Sequence, residues 1–160
     1  MPRGRILFVD NDPNFLRVRS EFLRQDYDIV EAHTLEEAKQ QLQDNWIHLA
    51  ILDIRILNDD DERDLSGLIL AKNENFRTIP KIMLTGFPSY AYVREVMRFD
   101  QQGIPSAVDF LSKQEGPEAM IQTVKAAFIQ HVRINWDLTI RWREPFSFFH
   151  LLNLIQPALT

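Results

Sequence analysis

The sequence predicts an α/β protein, a doubly wound five-stranded parallel sheet with helices on both faces, and three observations predict it. Short apolar runs alternate strictly with amphipathic stretches, five of each, over roughly the first 130 residues. Capping and turn residues separate them. Four of the five runs end at or just before a polar residue able to do chemistry, namely Asp10, Asp53, Thr85 and Lys113.

The first run, Arg5 to Val9 (RILFV), reads as a buried strand stopped by Asp10. Asp12 then offers a helix N-cap with Pro13 at the first helical position, and Phe15, Val18 and Phe22 share one expected apolar face. A second short strand, Asp28 to Ala32, precedes the pair Thr34 and Glu37, a capping box ahead of Leu35, Ala38 and Leu42. The third strand spans Ile47 to Leu52 and ends at Asp53. After an acidic loop, a helix begins near Ser66 and carries Leu68, Ile69 and Ala71. Pro80 opens a fourth strand, Lys81 to Leu84, that ends at Thr85, and Gly86 and Pro88 turn the chain into a helix reaching about Phe99. Ala107 to Leu111 is the fifth strand, closely followed by Lys113. Gly116 and Pro117 start the last helix, with Ile121, Val124 and Phe128 at helical spacing.

The length of 160 residues suits one domain plus a short appendage, and the division falls near residue 132. Residues 1–132 form the domain. Residues 133–160 carry five aromatics, Trp136, Trp142, Phe146, Phe148 and Phe149, in a pattern of one strand and one short helix. That extension cannot enclose a core alone, so it is expected to serve as a dimer contact or as the start of a truncated effector.

The absence of cysteine excludes a disulfide framework, a thiolate metal site and a cysteine nucleophile. His33, His48, His131 and His150 show no ligand spacing, and no serine sits in a nucleophile-elbow pattern. The net charge of −5 lies mostly in one place, since residues 58–64 hold five acids and one arginine. With no basic stripe, direct nucleic-acid binding by this portion is not expected. Nor is a membrane span, because no apolar run reaches about 18 residues; the chain reads as cytoplasmic. The acidic loop is no EF-hand: counted from Asp59, the fifth position is Arg63 and the sixth is Asp64, where glycine is needed. It reads as a solvated charged loop.

In an open parallel sheet the strand ends share one edge, where ligands bind at the point of strand-order reversal. Carboxylates gathered there suit a hard divalent cation, and a central carboxylate can act as a nucleophile toward phosphorus. A hydroxyl and an ammonium would neutralise the phosphoryl oxygens.

On these residues the chain resembles the receiver domains of two-component response regulators (CheY-like). The resemblance runs from about Arg5 to His131 and is carried by ILFVDNDP at the first strand, AILDIRI at the third, IMLTGF at the fourth and AVDFLSK at the fifth, together with Gly67 in the helix that follows the acidic loop. It implies the strand order 2-1-3-4-5. It also implies that Asp53 is the phosphoacceptor, that Asp10, Asn11, Asp12, Asp53 and the Arg55 backbone carbonyl hold Mg2+, and that Thr85 and Lys113 contact the phosphoryl group. Phe110 matches the aromatic that moves together with Thr85 on switching. The implied partner is a histidine kinase or phosphotransfer protein, and the protein is then a bacterial signalling switch rather than an enzyme, apart from transfer and hydrolysis of its own phosphoryl group.

Four positions depart from the family pattern. Asn11 stands where a second acid is usual, so weaker magnesium binding than usual is expected. Leu57 replaces a proline, the Asp53–Gly67 loop is longer, and Gln114 replaces the proline after Lys113, so a cis peptide is not assumed. Asp12 reads first as the helix cap and second as a metal contact. These departures motivate the alternative, a receiver-like interaction or dimerisation module that acts independently of phosphorylation. An unrelated flavin- or nucleotide-binding protein lacks support, because no glycine-rich phosphate loop is present.

Overall fold

In the computed structural model, which describes residues 3–99 and 103–132, the five strands are β1 (Arg5–Val9), β2 (Asp28–Ala32), β3 (Leu49–Asp53), β4 (Lys81–Thr85) and β5 (Asp109–Ser112). All pair in parallel, in the order β2-β1-β3-β4-β5. The connecting helices are α1 (Pro13–Leu23), α2 (Leu35–Asp44), α3 (Ser66–Ala71), α4 (Tyr90–Val96) and α5 (Pro117–Ala127), with a 3-10 turn at Glu74–Phe76 and a π-helical turn at Phe128–Val132. The predicted fold class and strand order are those observed. None of the helices described is long and apolar enough to cross a membrane.

The period of two along each strand builds two cores. Leu7 and Val9, Ala50 and Leu52, and Met83 meet Ala38, Leu42, Leu68 and Leu70 on one face. Ile6 and Phe8, Leu49 and Ile51, Ile82 and Leu84 meet Leu16, Leu23, Met120, Val124 and Ala127 on the other. Burial on both sides is why β1, β3 and β4 read as continuous apolar runs. Both expected caps form. Asp12 Oδ1 accepts the N–H groups of Asn14 and Phe15 at 2.9 and 3.1 Å, and Thr34 Oγ1 accepts that of Glu37 at 3.1 Å.

The structure corrects several boundaries and faces. The buried residues of α1 are Leu16, Ser20 and Leu23, while Val18 and Phe22 are 47% and 43% exposed. A small serine in the middle of the true stripe conceals it from a hydrophobicity count. Ile69 of α3 likewise faces outward, leaving Leu68, Leu70 and Ala71 inside. The strand expected from Ile47 starts at Leu49, and the strand expected over Ala107–Leu111 is displaced to Asp109–Ser112. Helix α4 stops at Val96 instead of reaching Phe99, because Phe99 turns back to pair with Pro105 in an antiparallel bridge. The aromatic extension 133–160 lies outside the described residues.

Lys81, the head of β4, is buried with its ammonium donating to the carbonyls of Phe76 and Ile79 at 2.7 and 2.8 Å. Burial pulls its pKa down to about 8. It ties the 3-10 turn to the sheet, so a charged residue stands where only strand propensity was legible.

Gly67 sets the approach of α3 to the end of β3. Its N–H donates to Ile54 O at 2.9 Å, and a Cβ placed on it would lie 1.7 Å from the Asp53 carbonyl oxygen. Backbone on both sides cannot yield as a flexible side chain would. Gly67→Ala is therefore expected to lower the unfolding free energy by about 3 kcal/mol; a urea midpoint equal to that of the wild type would refute this close packing.

Candidate functional site

The order reversal at β1 places Asp10 and Asp53 side by side. Val9 is in register with Leu52, so the residues that follow, Asp10 and Asp53, sit on adjacent strands at the carboxyl edge. Both are buried, at 0% and 1% exposure. Lys113 arrives from the loop after β5, whose position is fixed by the Lys113 N–H bond to Thr85 O at 2.7 Å. Its ammonium lies 2.7 Å from Asp53 Oδ2, 2.9 Å from Asp10 Oδ2 and 3.8 Å from Asp59 Oδ1.

Burial dominates the electrostatics. It pushes the Asp53 carboxyl up to about 7, against the opposing pull of Lys113 and with help from the Asp10 and Asp59 charges. Asp10 is raised for the same first reason, burial, again countered by Lys113. Burial alone would depress Lys113, but the Asp53 and Asp10 carboxylates outweigh it and hold its ammonium above the ordinary value. The pocket thus combines an anion excess with a fixed cation. That is an arrangement suited to accept further positive charge.

Other predicted residues fall around this pair. Thr85 is buried, and its Oγ1 accepts the Phe87 N–H at 3.1 Å. Asp12 is the cap of α1, and its own N–H donates to Asp10 Oδ1 at 2.9 Å, which orients that carboxylate. Asn11 Oδ1 is buried without a hydrogen-bond partner, and Asp10 Oδ2 has only its ion pair. The orphaned Asn11 oxygen and the Asp10 and Asp53 carboxylates are the hard donors a divalent cation takes. Among the described residues no group of three acids or histidines is already arranged to hold a metal ion; the Lys113 ammonium stands between Asp10 and Asp53. Arg55 is buried, donates to Asp59 O at 2.8 Å and lays its guanidinium 4.6 Å from the Phe87 ring centroid. Phe110 is half-buried on β5 against the first core. No described peptide bond is cis.

Three contributors escaped the sequence reading. Arg19 of α1 reaches the loop after β5 and donates to Lys113 O and Glu115 O at 3.3 and 2.7 Å. Phe15 lies beneath both cations, 5.2 Å from the Arg19 guanidinium and 5.3 Å from the Lys113 ammonium. Nothing in the sequence signals partners so far away along the chain. The third is Asp59, hidden in a run of like charges. That run is an ordered turn, not merely a solvated one: Asp64 accepts the N–H groups of Leu57, Asn58 and Ser66 at 2.8, 2.8 and 2.9 Å. Burial opposes its ionisation, but the Asn58 and Ser66 N–H bonds prevail and lower its pKa.

A carboxylate pair and a lysine at the switch point of a doubly wound sheet define a class of proteins that carry their chemistry at strand ends. A sequence model described as the response regulator receiver domain matches residues 6–125, and the chain belongs to that family. Solved structures agree in fold. A CheY-like receiver domain protein from Methanospirillum hungatei JF-1 superposes with a TM-score of 0.65 at 23% identity, over 81% of this chain and 96% of the other. A two-component response regulator from Clostridium difficile gives 0.65 at 25% identity, over 80% and 98%. The chemotaxis protein CheY4 from Vibrio cholerae gives 0.62 at 20% identity, over 78% and 98%. No curated protein sequence matches the chain significantly.

The raised carboxyl has a consequence for stability. A folded-state pKa near 7 against an unfolded value near 4 means the protonated Asp53 favours the fold fully below about pH 4 and that contribution is lost as pH rises through about 7. Asn at this position carries no such loss. In metal-free buffer the stability of Asp53→Asn relative to wild type is expected to increase from pH 4 to pH 8; a difference independent of pH in thermal melts would contradict the assignment.

Proposed function

We propose that the protein is a phosphorylation-controlled switch in which Asp53 accepts a phosphoryl group from a histidine kinase or phosphotransfer protein. The observation that carries this reading is a buried Asp53 at the carboxyl edge with the Lys113 ammonium 2.7 Å from its Oδ2. A carboxylate oxygen of Asp53 attacks phosphorus, the bond from phosphorus to the donor atom breaks, and the donor leaves with that electron pair. Asp10, Asn11 and Asp53, with the Arg55 carbonyl and Asp12 close by, would hold Mg2+. When bound, the ion neutralises charge on the transferring group. Lys113 supplies a fixed positive charge to the phosphoryl oxygens, and Thr85, whose Oγ1 accepts the Phe87 N–H, keeps its O–H free to donate to them.

The product adds about two negative charges to an already anionic edge. Lys113 and Thr85 are the groups able to answer that change, and Phe110, on the strand that precedes Lys113 and packed against the first core, is the side chain through which it would reach the surface. The outward-facing Val18 and Phe22 of α1 support docking by a partner. They form an exposed apolar pair on the helix whose Arg19 holds the Lys113 loop. The extension 133–160 would carry the output or a contact with a second copy.

Intact mass after incubation with acetyl phosphate and magnesium tests the reading. One phosphoryl adduct, absent in Asp53→Asn and at least about tenfold slower to form in Lys113→Ala, is expected. An adduct that persists in Asp53→Asn would move the acceptor elsewhere. No adduct in the wild type would favour a module working without phosphate.

A further inference from the structure

We propose that Asp59, brought in by the acidic segment 58–64, is the third carboxylate of the pocket and raises its affinity for a divalent cation. The inference rests on the metal-dependent reading above and concerns a residue outside the strand-end set.

Charge is the first argument. Asp10, Asp53 and Asp59 surround one ammonium, at 2.9, 2.7 and 3.8 Å, so with all carboxyls ionised the cluster carries a formal charge of −2. Asn11 adds an orphaned oxygen but no charge. Without Asp59 the cluster would hold a single excess negative charge, a poorer match for a divalent ion.

Placement is the second. Asp59 is aimed by its neighbours: the Arg55 guanidinium donates to its carbonyl at 2.8 Å, and that guanidinium is itself buried and stacked over Phe87. Asp64 gathers the N–H groups of Leu57 and Asn58, and Asn58 Oδ1 accepts the Asp60 N–H at 3.0 Å. Tyr92 of α4 closes the turn by donating to Glu62 O at 3.3 Å. Among the described residues, Asp59 is the one acid of this segment that reaches Lys113; Asp60, Asp61 and Glu62 face solvent. The segment is thus a device for delivering one charge.

The Asp59 side chain is 44% exposed, so it acts partly through water and salt must weaken its effect. That distinguishes a charge role from a structural one. Magnesium titration of the full chain, followed by amide chemical shifts, is the test. Asp59→Asn keeps the carbonyl that Arg55 holds. At about 20 mM ionic strength it is expected to weaken magnesium binding about fivefold, and at about 0.5 M by less than about twofold. Asp60→Asn should match wild type, and Asn11→Asp in the Asp59→Asn background should restore affinity by returning the missing charge. Equal affinity of Asp59→Asn and wild type would overturn the proposal, as would a loss independent of salt or one equally produced by Asp60→Asn. Absence of magnesium binding by the wild type would instead overturn the metal-dependent reading itself.

Discussion

One ammonium amid buried carboxylates governs this protein. Lys113 bonds Asp53 and pairs with Asp10 where neither acid is exposed by more than 1%. Two acids packed into a sheet edge would repel each other and lose their hydration; the lysine offsets part of both costs but supplies one charge only. The remaining imbalance is what makes the site receptive. Burial, which the lysine only partly offsets, raises Asp53 toward neutrality, and on the function proposed above the charge imbalance is what a divalent cation and then a phosphoryl group would change.

Everything around the pocket serves to hold that lysine and those acids at fixed distances. Register between β1 and β3 sets the two acids side by side. Gly67 lets α3 close over the Asp53 carbonyl, Thr85 O fixes the Lys113 backbone, and Arg19 clamps the next turn from α1. After the lysine comes Gln114, and a guanidinium, that of Arg19, holds the loop. The acidic segment belongs to the same economy of charge, because its turn delivers Asp59 to within 3.8 Å of the ammonium.

Local signals made much of this legible. Five apolar runs, the Asp12 and Thr34 caps and the strand-terminal polar residues led to the architecture, since each rests on a period or a cap written within a few residues. Faces were less legible. Ser20 hid the buried stripe of α1, and Val18 and Phe22 appeared to be core when they are surface. Arg19, Phe15 and Asp59 could not be read, because their importance comes from groups brought near by folding. Among seven residues with five acids, no sequence rule singles out the one that a buried arginine aims inward.

Carbon-13 titration of the Asp53 side-chain carboxyl, in the full chain without metal, reads the buried charge balance of the pocket at its centre. An apparent pKa near 7 is expected, falling when magnesium is added because the ion favours the carboxylate. An ordinary value near 4, unmoved by magnesium, would show that Asp53 is neither strained by burial nor part of a cation site.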